Sequence, residues 1–245
     1  MLLSTVSRIS PKVALKKISR RYTNSSAFKT ETDALLRIFD NGGHPNISGL
    51  RDMYEDHNFY YLILDLVTGG EMFEHLIHYG AYSEADAARL MYEVASALAF
   101  LHGVGVVHAD LKPENLLLST KNRMDGTIKM IDFGCAPYVA TGLIYTYVCA
   151  QISFSQPLLY RFQMDMWSVG VILYIMLTGV HPFDVKGVST DDEIADHIRQ
   201  NPEPPFSREL VGHLSESAGD LILRLMERDP AKRITAYEML QHPWV

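Results

Sequence analysis

Residues 106–118 read VVHADLKPENLLL, and this stretch decides how the rest of the chain is interpreted. Four groups that chemistry uses, Asp110, Lys112, Glu114 and Asn115, fall within six positions directly after an apolar segment. Reactive side chains are disproportionately carried by loops that a rigid scaffold positions. The stretch is therefore a candidate for a chemical site directly after an apolar helix.

The size and composition of the chain favour one large domain or two tightly joined lobes. The chain has 245 residues, of which 47% are hydrophobic, so it can bury a full core. Its two cysteines, Cys135 and Cys149, are too few for a disulfide framework and lack metal-ligand spacing, which favours a reducing, intracellular setting. The longest apolar run, VGVILYIML at 169–177, is far shorter than the ~20 residues of a membrane helix. We expect a core helix there and no membrane association.

Charge is unevenly distributed along the chain. Residues 1–30 carry seven Lys/Arg and no acid, whereas the remaining 215 residues carry 15 Lys/Arg against 29 Asp/Glu. An acidic body argues against a nucleic-acid partner and suits a cationic peptide or a cation. The basic, Ser-rich start also has the composition of a mitochondrial transit peptide, but the strand-like run VALKKI argues against that alternative. The expected location is the cytoplasm, with the nucleus as the alternative.

Hydrophobic periodicity predicts a small strand-rich part followed by a larger helical part. Helical spacing begins at 28–38 and dominates after Thr68-Gly69-Gly70, with capping boxes at Ser83 and Thr235 and a helix stop at Gly103. Strand-like runs lie at 13–18, 44–50 (HPNISGL), 60–66 and 126–131. The prediction is an α+β, bilobal fold with an N-lobe at 1–66, a C-lobe at 67–245 and a hinge at the Gly pair.

An ordered set of motifs is far more specific than any of its members. The set comprises Lys16 in VALK, Glu31, GGE at 69–71, HADLKPEN at 108–115, DFG at 132–134, DMWSVG at 165–170 and Arg233. In this order the motifs resemble the eukaryotic protein kinase domain across nearly the whole chain. VTGGEMFEHL, DLKPEN and the closing LQHPWV resemble in particular the calcium/calmodulin-dependent group.

The resemblance implies a serine/threonine kinase that uses ATP and Mg²⁺. Lys16 would hold the α- and β-phosphates while pairing with Glu31, Asp110 would accept the proton of the attacking hydroxyl, and Lys112 would steady the γ-phosphate. Asn115 and Asp132 would bind Mg²⁺. In the family, a lysine at the position of Lys112 is typical of Ser/Thr kinases.

The resemblance also implies a nucleotide site between the lobes. Leu64 would be the gatekeeper, and the other predicted nucleotide-binding residues are Ala14, Lys16, Asp65, Val67, Glu71, Leu117 and Asp132. Leu35, Leu50, His108 and Phe133 match a stack of side chains that couples the lobes in the family.

The predicted partners are protein substrates with Ser or Thr near Arg. Glu71 and Glu114 match positions that accept Arg from the peptide in basophilic family members; the alternative is that both are surface acids. A calcium sensor or autoinhibitory segment outside residues 1–245 would supply regulation.

Three departures from the family pattern keep alternatives open. Ala109 stands where the family usually has an arginine that pairs with a phosphorylated residue, so that switch is not expected here. No glycine lies in residues 1–15, where the family has its phosphate-covering loop. No Glu lies in residues 133–192, where an Ala-Pro-Glu motif would pair with Arg233, so Arg233 must find Asp165 or another acceptor, or the region is loosened. A pseudokinase scaffold or a truncated kinase product is therefore the alternative function.

Overall fold

A computed structural model describes residues 12–23, 25–122, 125–136, 159–200 and 208–245 of the chain. The strands are β1 (Val13–Ser19), β2 (Leu50–Glu55), β3 (Phe59–Asp65), β4 (Leu116–Leu118) and β5 (Ile128–Met130). The α-helices are α1 (Ser25–Asp40), α2 (Met72–Tyr79), α3 (Glu84–Gly103), α4 (Leu159–Thr178), α5 (Asp191–Gln200), α6 (Arg208–Val211), α7 (Glu216–Leu225) and α8 (Ala236–Met239). A single 3₁₀ turn, Pro113–Asn115, follows the catalytic loop among the described residues.

The small part is an antiparallel sheet in the order β1-β3-β2, with α1 packed on it. The register pairs Ala14 with Leu64 and Lys16 with Leu62. Because side chains alternate between the two faces of a strand, Ala14 and Lys16 point to the same face. The period-2 pattern of the sequence therefore places Lys16 on the side of the sheet that faces the helical part.

The predicted strand at 44–50 is wrong except for its last residue, because β2 begins only at Leu50. The segment before it pairs with β5 instead: Met130 N donates to Asn46 O at 2.8 Å and Ser48 N donates to Met130 O at 2.9 Å. Pro45 has no N–H for a sheet ladder, and the Asn46 side chain is buried against Ile128 O. The segment thus ties the small sheet to the helical part.

The helical part is built around α3 and α4. Ser83 accepts a hydrogen bond from Asp86 N at 3.1 Å, and α3 ends at Gly103, as the sequence predicts. The apolar positions of α3 are buried, namely Ala87, Leu90, Met91, Val94, Ala95, Ala97, Leu98 and Leu101. The run at 169–177 lies within α4 and supplies core residues such as Leu173 and Tyr174. The predicted capping box of Thr235 and Glu238 is present at the start of α8.

None of the helices in the described part of the chain is long and apolar enough to cross a membrane.

The Gly69-Gly70 pair lies where the chain passes from the sheet to the helices. Gly69 N donates to Leu118 O, and Leu118 N donates to Gly70 O, both at 2.9 Å. A Cβ on Gly69 would lie 2.0 Å from Leu118 O, so no side chain fits there. The close approach explains why glycine occupies this position, while the division of the chain at residues 66 and 67 stays a prediction.

Candidate active site

A cavity of about 220 Å³ lies between the sheet and the β4–β5 hairpin. Seven of the eight predicted nucleotide-binding residues line it: Ala14, Lys16, Leu64, Asp65, Val67, Leu117 and Asp132. Its wall is mostly apolar, and three charged side chains, those of Lys16, Glu31 and Asp132, lie together at one end. Glu71, the eighth, lies beside the cavity wall, where its backbone forms a bridge with Leu117.

Lys16 joins the two parts of the molecule at the charged end of the cavity. Its Nζ lies 2.6 Å from Glu31 Oε1 on α1 and 2.8 Å from Asp132 Oδ1 after β5. Burial opposes the charge on Lys16, but the hydrogen bonds with Asp132 and Glu31 outweigh it and raise the pKa of the ammonium group. Burial would raise the pKa of Asp132, yet the bond from Lys16 lowers it. Lys16 and Asp132 are therefore both charged at neutral pH.

The position of Glu31 follows from the packing of α1. Phe28 stacks on Tyr60 of β3 with ring centroids 3.8 Å apart, which holds the first turns of the helix on the sheet. Glu31 and Leu35 are one turn apart, share a face and are both buried. The carboxylate is thus aimed at Lys16 by the same face that fills the core.

The catalytic loop brings together three of the groups that the sequence predicts for chemistry. Asp110 Oδ2 accepts from Lys112 Nζ at 2.9 Å and from Asn115 Nδ2 at 3.2 Å. Asn115 Nδ2 also donates to Asp110 O at 2.7 Å, across the 3₁₀ turn. The hydrogen bond to Asp110 raises the pKa of Lys112. Asp110, Lys112 and Asn115 form one hydrogen-bonded cluster beside Asp132.

Asp165, on buried helix α4, anchors this loop, which is a role that sequence reasoning missed. Its Oδ2 accepts from His108 N at 3.0 Å and from His102 Nε2 at 2.9 Å, and its Oδ1 accepts from Ala109 N at 2.9 Å. Burial would raise the pKa of Asp165, but the hydrogen bond and charge of His102 lower it. The sequence did contain a signal for this role, because Asp165 in the motif DMWSVG is a carboxylate within an apolar helix.

Arg233 finds acceptors other than Asp165. The guanidinium is buried and donates from Nε to Glu227 O at 2.9 Å and from Nη1 to Gln163 O. It also lies 5.1 Å from the centroid of the Trp167 ring. Backbone carbonyls and an aromatic face thus help to satisfy this buried cation.

Ala109 keeps the backbone function of its position although its side chain cannot form an ion pair. Its φ is +64°, a left-handed conformation that costs a non-glycine residue roughly 1 kcal/mol. The bond from its N–H to Asp165 holds this conformation. Asp132 has a similar φ of +61°, so the catalytic loop and the DFG turn each contain a non-glycine residue in the left-handed conformation.

The four side chains predicted to couple the lobes are all buried. Leu35, Leu50, His108 and Phe133 are at most 8% exposed. The rings of His108 and Phe133 lie 5.1 Å apart, and His108 Nε2 lies 3.0 Å from Ile131 O. These contacts place DFG directly against the catalytic loop.

The residues present fit a nucleotide with a divalent cation. The Nδ2 group of Asn115 donates to Asp110, which leaves its amide oxygen as the ligand atom. Asp132 contributes a carboxylate, and oxygen ligands of this kind suit Mg²⁺. Lys16 supplies a cation for phosphate oxygens at the end of an apolar cavity that suits a base.

Two segments that the sequence singles out lie outside the described residues. They are the glycine-free start, residues 1–11, and residues 137–158, which follow DFG. The predictions for the phosphate-covering loop and for the Ala-Pro-Glu region therefore stay predictions.

Comparison with known proteins supports the motif analysis. The family described as the protein kinase domain matches residues 4–245. Myosin light chain kinase A of Dictyostelium discoideum is 39% identical over 89% of this chain and 72% of its own length. Human calcium/calmodulin-dependent protein kinase type IV is 38% identical over 94% of this chain, and calcium-dependent protein kinase 19 of rice is 38% identical over 95% of it. The chain spans 48% and 44% of those two relatives.

Proposed function

Because the chain belongs to the protein kinase family, we propose that it transfers the γ-phosphate of ATP to serine and threonine hydroxyls of protein substrates. The predicted family and the α+β fold class are confirmed, and the relatives in the calcium/calmodulin-dependent group confirm the Ser/Thr kinase class of the domain. Protein kinases as a family use ATP and Mg²⁺. The pseudokinase alternative is not favoured, because Lys16, Glu31, Asp110, Asn115 and Asp132 are all retained.

One observation carries the proposal: Lys16 contacts Glu31 and Asp132 at once, beside the Asp110 cluster. Phosphoryl transfer needs cationic groups fixed around the phosphates and a base fixed at the acceptor hydroxyl. The Glu31 carboxylate holds Lys16 where phosphate oxygens would lie. Asn115 and Lys112 hydrogen-bond to the Asp110 carboxylate and hold it in place.

The proposed step transfers one phosphoryl group between the two substrates and one proton to this chain. The acceptor oxygen bonds to the γ-phosphorus, the bond from that phosphorus to the ADP oxygen breaks, and the hydroxyl proton goes to Asp110. Lys16 orients the α- and β-phosphates, and Lys112 lies beside the transferred group. Mg²⁺ held by Asn115 and Asp132 would neutralise charge on the phosphates when bound.

The class of acceptor tests the proposal. We would offer the purified chain labelled Mg·ATP and three peptides that differ only in a Ser, Thr or Tyr acceptor. Label on the Ser and Thr peptides is expected. Label on the Tyr peptide alone, or on none of them while the chain is folded, contradicts the proposed function.

The same proposal extends to basic substrates. Glu114 is exposed in the 3₁₀ turn, next to the catalytic cluster, and Glu71 precedes α2, which contacts that turn. Two acids beside the acceptor site suit an arginine on the peptide, because carboxylates bind guanidinium groups in two-pronged geometry.

Neutralising these acids should weaken selection for arginine. Glu114→Gln combined with Glu71→Gln is expected to lower kcat/KM about 10- to 100-fold for an Arg-x-x-Ser peptide, since a charge-assisted hydrogen bond contributes roughly 1.5–3 kcal/mol. An Ala-x-x-Ser peptide should lose much less. Glu216→Gln, at an exposed site on α7, is the matched control. A loss of the same size with both peptides would show that the two acids do not select arginine.

The proposal extends to regulation and location. Two of the relatives named above are calcium- or calmodulin-dependent by name, and this chain spans about half of each. We propose protein substrates as partners, a calcium sensor or autoinhibitory segment as the regulator, and the cytoplasm as the location.

A further inference from the structure

Asp65, the last residue of β3, is hydrogen-bonded through both its backbone and its carboxylate to the segment 48–51. We propose that this carboxylate is a positioning group for the nucleotide: it fixes the cavity-lining residues 65–67 against the segment that leads into β2. The inference rests on the proposed function, since it assigns a role in binding the nucleotide that the kinase would use.

Four hydrogen bonds define this Asp65 clamp. Asp65 Oδ2 accepts from Gly49 N at 3.0 Å, and Oδ1 accepts from Arg51 Nε at 2.6 Å. The backbone N of Asp65 donates to Gly49 O at 3.0 Å, and Ser48 Oγ donates weakly to Asp65 O at 3.4 Å. Both the backbone and the side chain of one residue are thereby held.

The local sequence is shaped to allow the clamp. A Cβ on Gly49 would lie 2.9 Å from Asp65 Oδ2, so a larger residue would push the carboxylate away from the Gly49 N–H. The β2–β3 register also shifts between Leu50 and Asp52, which makes Arg51 the extra residue of a bulge. Bulges re-aim side chains beside functional sites, and here Arg51 is directed at Asp65.

The clamp lies at the wall of the cavity and connects that wall to strand β5. Leu64, Asp65, Leu66 and Val67 follow one another along the wall, and Ser48 lines it too. Ser48 N donates to Met130 O on β5, two residues before Asp132. The wall that would contact the base is therefore held in a fixed position relative to Asp132, the residue that would bind the cation.

Nucleotide affinity tests the clamp without requiring phosphate transfer. We expect Asp65→Ala to raise the Kd of a fluorescent ATP analogue, and the KM for ATP, about tenfold, with kcat changed less than about twofold, because a cavity wall that is no longer held in place must be ordered when the nucleotide binds. Gly49→Ala, which keeps the carboxylate but displaces it, should shift both in the same direction. Asp65→Asn should raise the Kd less than Asp65→Ala does, because its amide oxygen can still accept from Gly49 N while the ion pair with Arg51 is lost.

Asp56→Ala is the matched control for a purely structural effect. The Asp56 carboxylate accepts from Asn58 N and Phe59 N at 2.7 Å and from Tyr61 Oη at 2.8 Å, at the opposite end of β3 from the cavity. The Asp56→Ala variant should have a lower unfolding midpoint in urea but an unchanged Kd. Binding would be measured under conditions where circular dichroism shows that each variant is folded.

The possible outcomes distinguish a failure of the clamp from a failure of the proposed function. Equal Kd values for the wild type and Asp65→Ala, or an equal rise in Asp56→Ala, would overturn the clamp while peptide phosphorylation still stands. A folded wild type that binds no nucleotide would overturn both. A tenfold rise confined to Asp65→Ala and Gly49→Ala supports the clamp even if no peptide is phosphorylated.

Discussion

Replacing Asp132 with asparagine is expected to lower kcat for peptide phosphorylation about 10²- to 10³-fold, the usual effect of removing one fixed electrostatic group from an active site. Asparagine keeps the shape of the side chain and an oxygen, but it removes the charge that Lys16 contacts at 2.8 Å. The same charge would bind Mg²⁺ together with Asn115. The measurement is kcat at saturating ATP over a titration of Mg²⁺, with Asp192→Asn, at an exposed site on α5, as the control.

Neutral pH is the right condition for this comparison. The pKa of Asp132 is depressed, so its contribution to stability is present above the unfolded value near 3.8 and is lost as the pH falls through the folded pKa. The pKa of Lys16 is raised, so its contribution is present below 10.5 and is lost as the pH rises through the folded pKa. At pH 7 both are charged. Wild-type kcat in Asp132→Asn would mean that this carboxylate plays no part in the transfer.

Asp165→Ala is expected to destabilise the fold by about 3–5 kcal/mol and to abolish transfer, because removing one side of a buried charge network leaves its partners unsatisfied. The N–H groups of His108 and Ala109 would lose their acceptor, and Ala109 would lose the bond that holds its φ of +64°. The catalytic loop would then no longer present Asp110 to the substrate. Urea unfolding gives the stability change, and kcat is measured at a temperature where the variant is folded.

Asp220→Ala provides the matched control for that prediction. Asp220 also accepts a hydrogen bond from a histidine, His242 Nε2 at 2.9 Å, but its side chain is 48% exposed and lies far from the loop along the chain. Its loss should cost about 1 kcal/mol, less than the loss of Asp165, because the Asp220 carboxylate is itself partly exposed although His242 is buried. Equal stability losses in the two variants would show that Asp165 has no special anchoring role.

The sequence predicted the parts of the site that depend on residue type and order. The family resemblance carried by VALK, Glu31 and DFG implied that Lys16 pairs with Glu31 and that Asp132 belongs to the same site, and the structure places both carboxylates within hydrogen-bond distance of Lys16. The helices were predicted from strong periodicity and caps. Their starts at Ser83 and Thr235 follow from local hydrogen bonds that the sequence specifies directly.

The parts that the sequence did not predict depend on backbone contacts between distant segments. Asp165 bonds mainly to backbone N–H groups 56 and 57 residues away, and no partner side chain marks such a contact in a sequence. The strand-like run HPNISGL predicts a strand at 44–50, but tertiary pairing with Met130 overrides that prediction. The Asp65 clamp depends on a bulge in β2, which residue types alone do not locate.

Ala109 separates regulation from catalysis in this chain. Its N–H still bonds to Asp165, so the loop geometry is retained, whereas its methyl group offers nothing to a phosphorylated residue. Activity is therefore expected without that phosphate–arginine contact. The same reasoning leaves Asp110 as the residue on which the proposed chemistry depends most.

The most direct test compares phosphate transfer from labelled Mg·ATP to an Arg-x-x-Ser peptide by the 245-residue chain and by its Asp110→Ala variant. Both proteins would first be shown to be folded by circular dichroism. We predict transfer by the wild type and a fall of about 10²- to 10⁴-fold in the variant, the range expected when a general base is removed. Equal transfer by the two proteins, or no transfer by the folded wild type, would contradict the proposal that this chain is a working protein kinase.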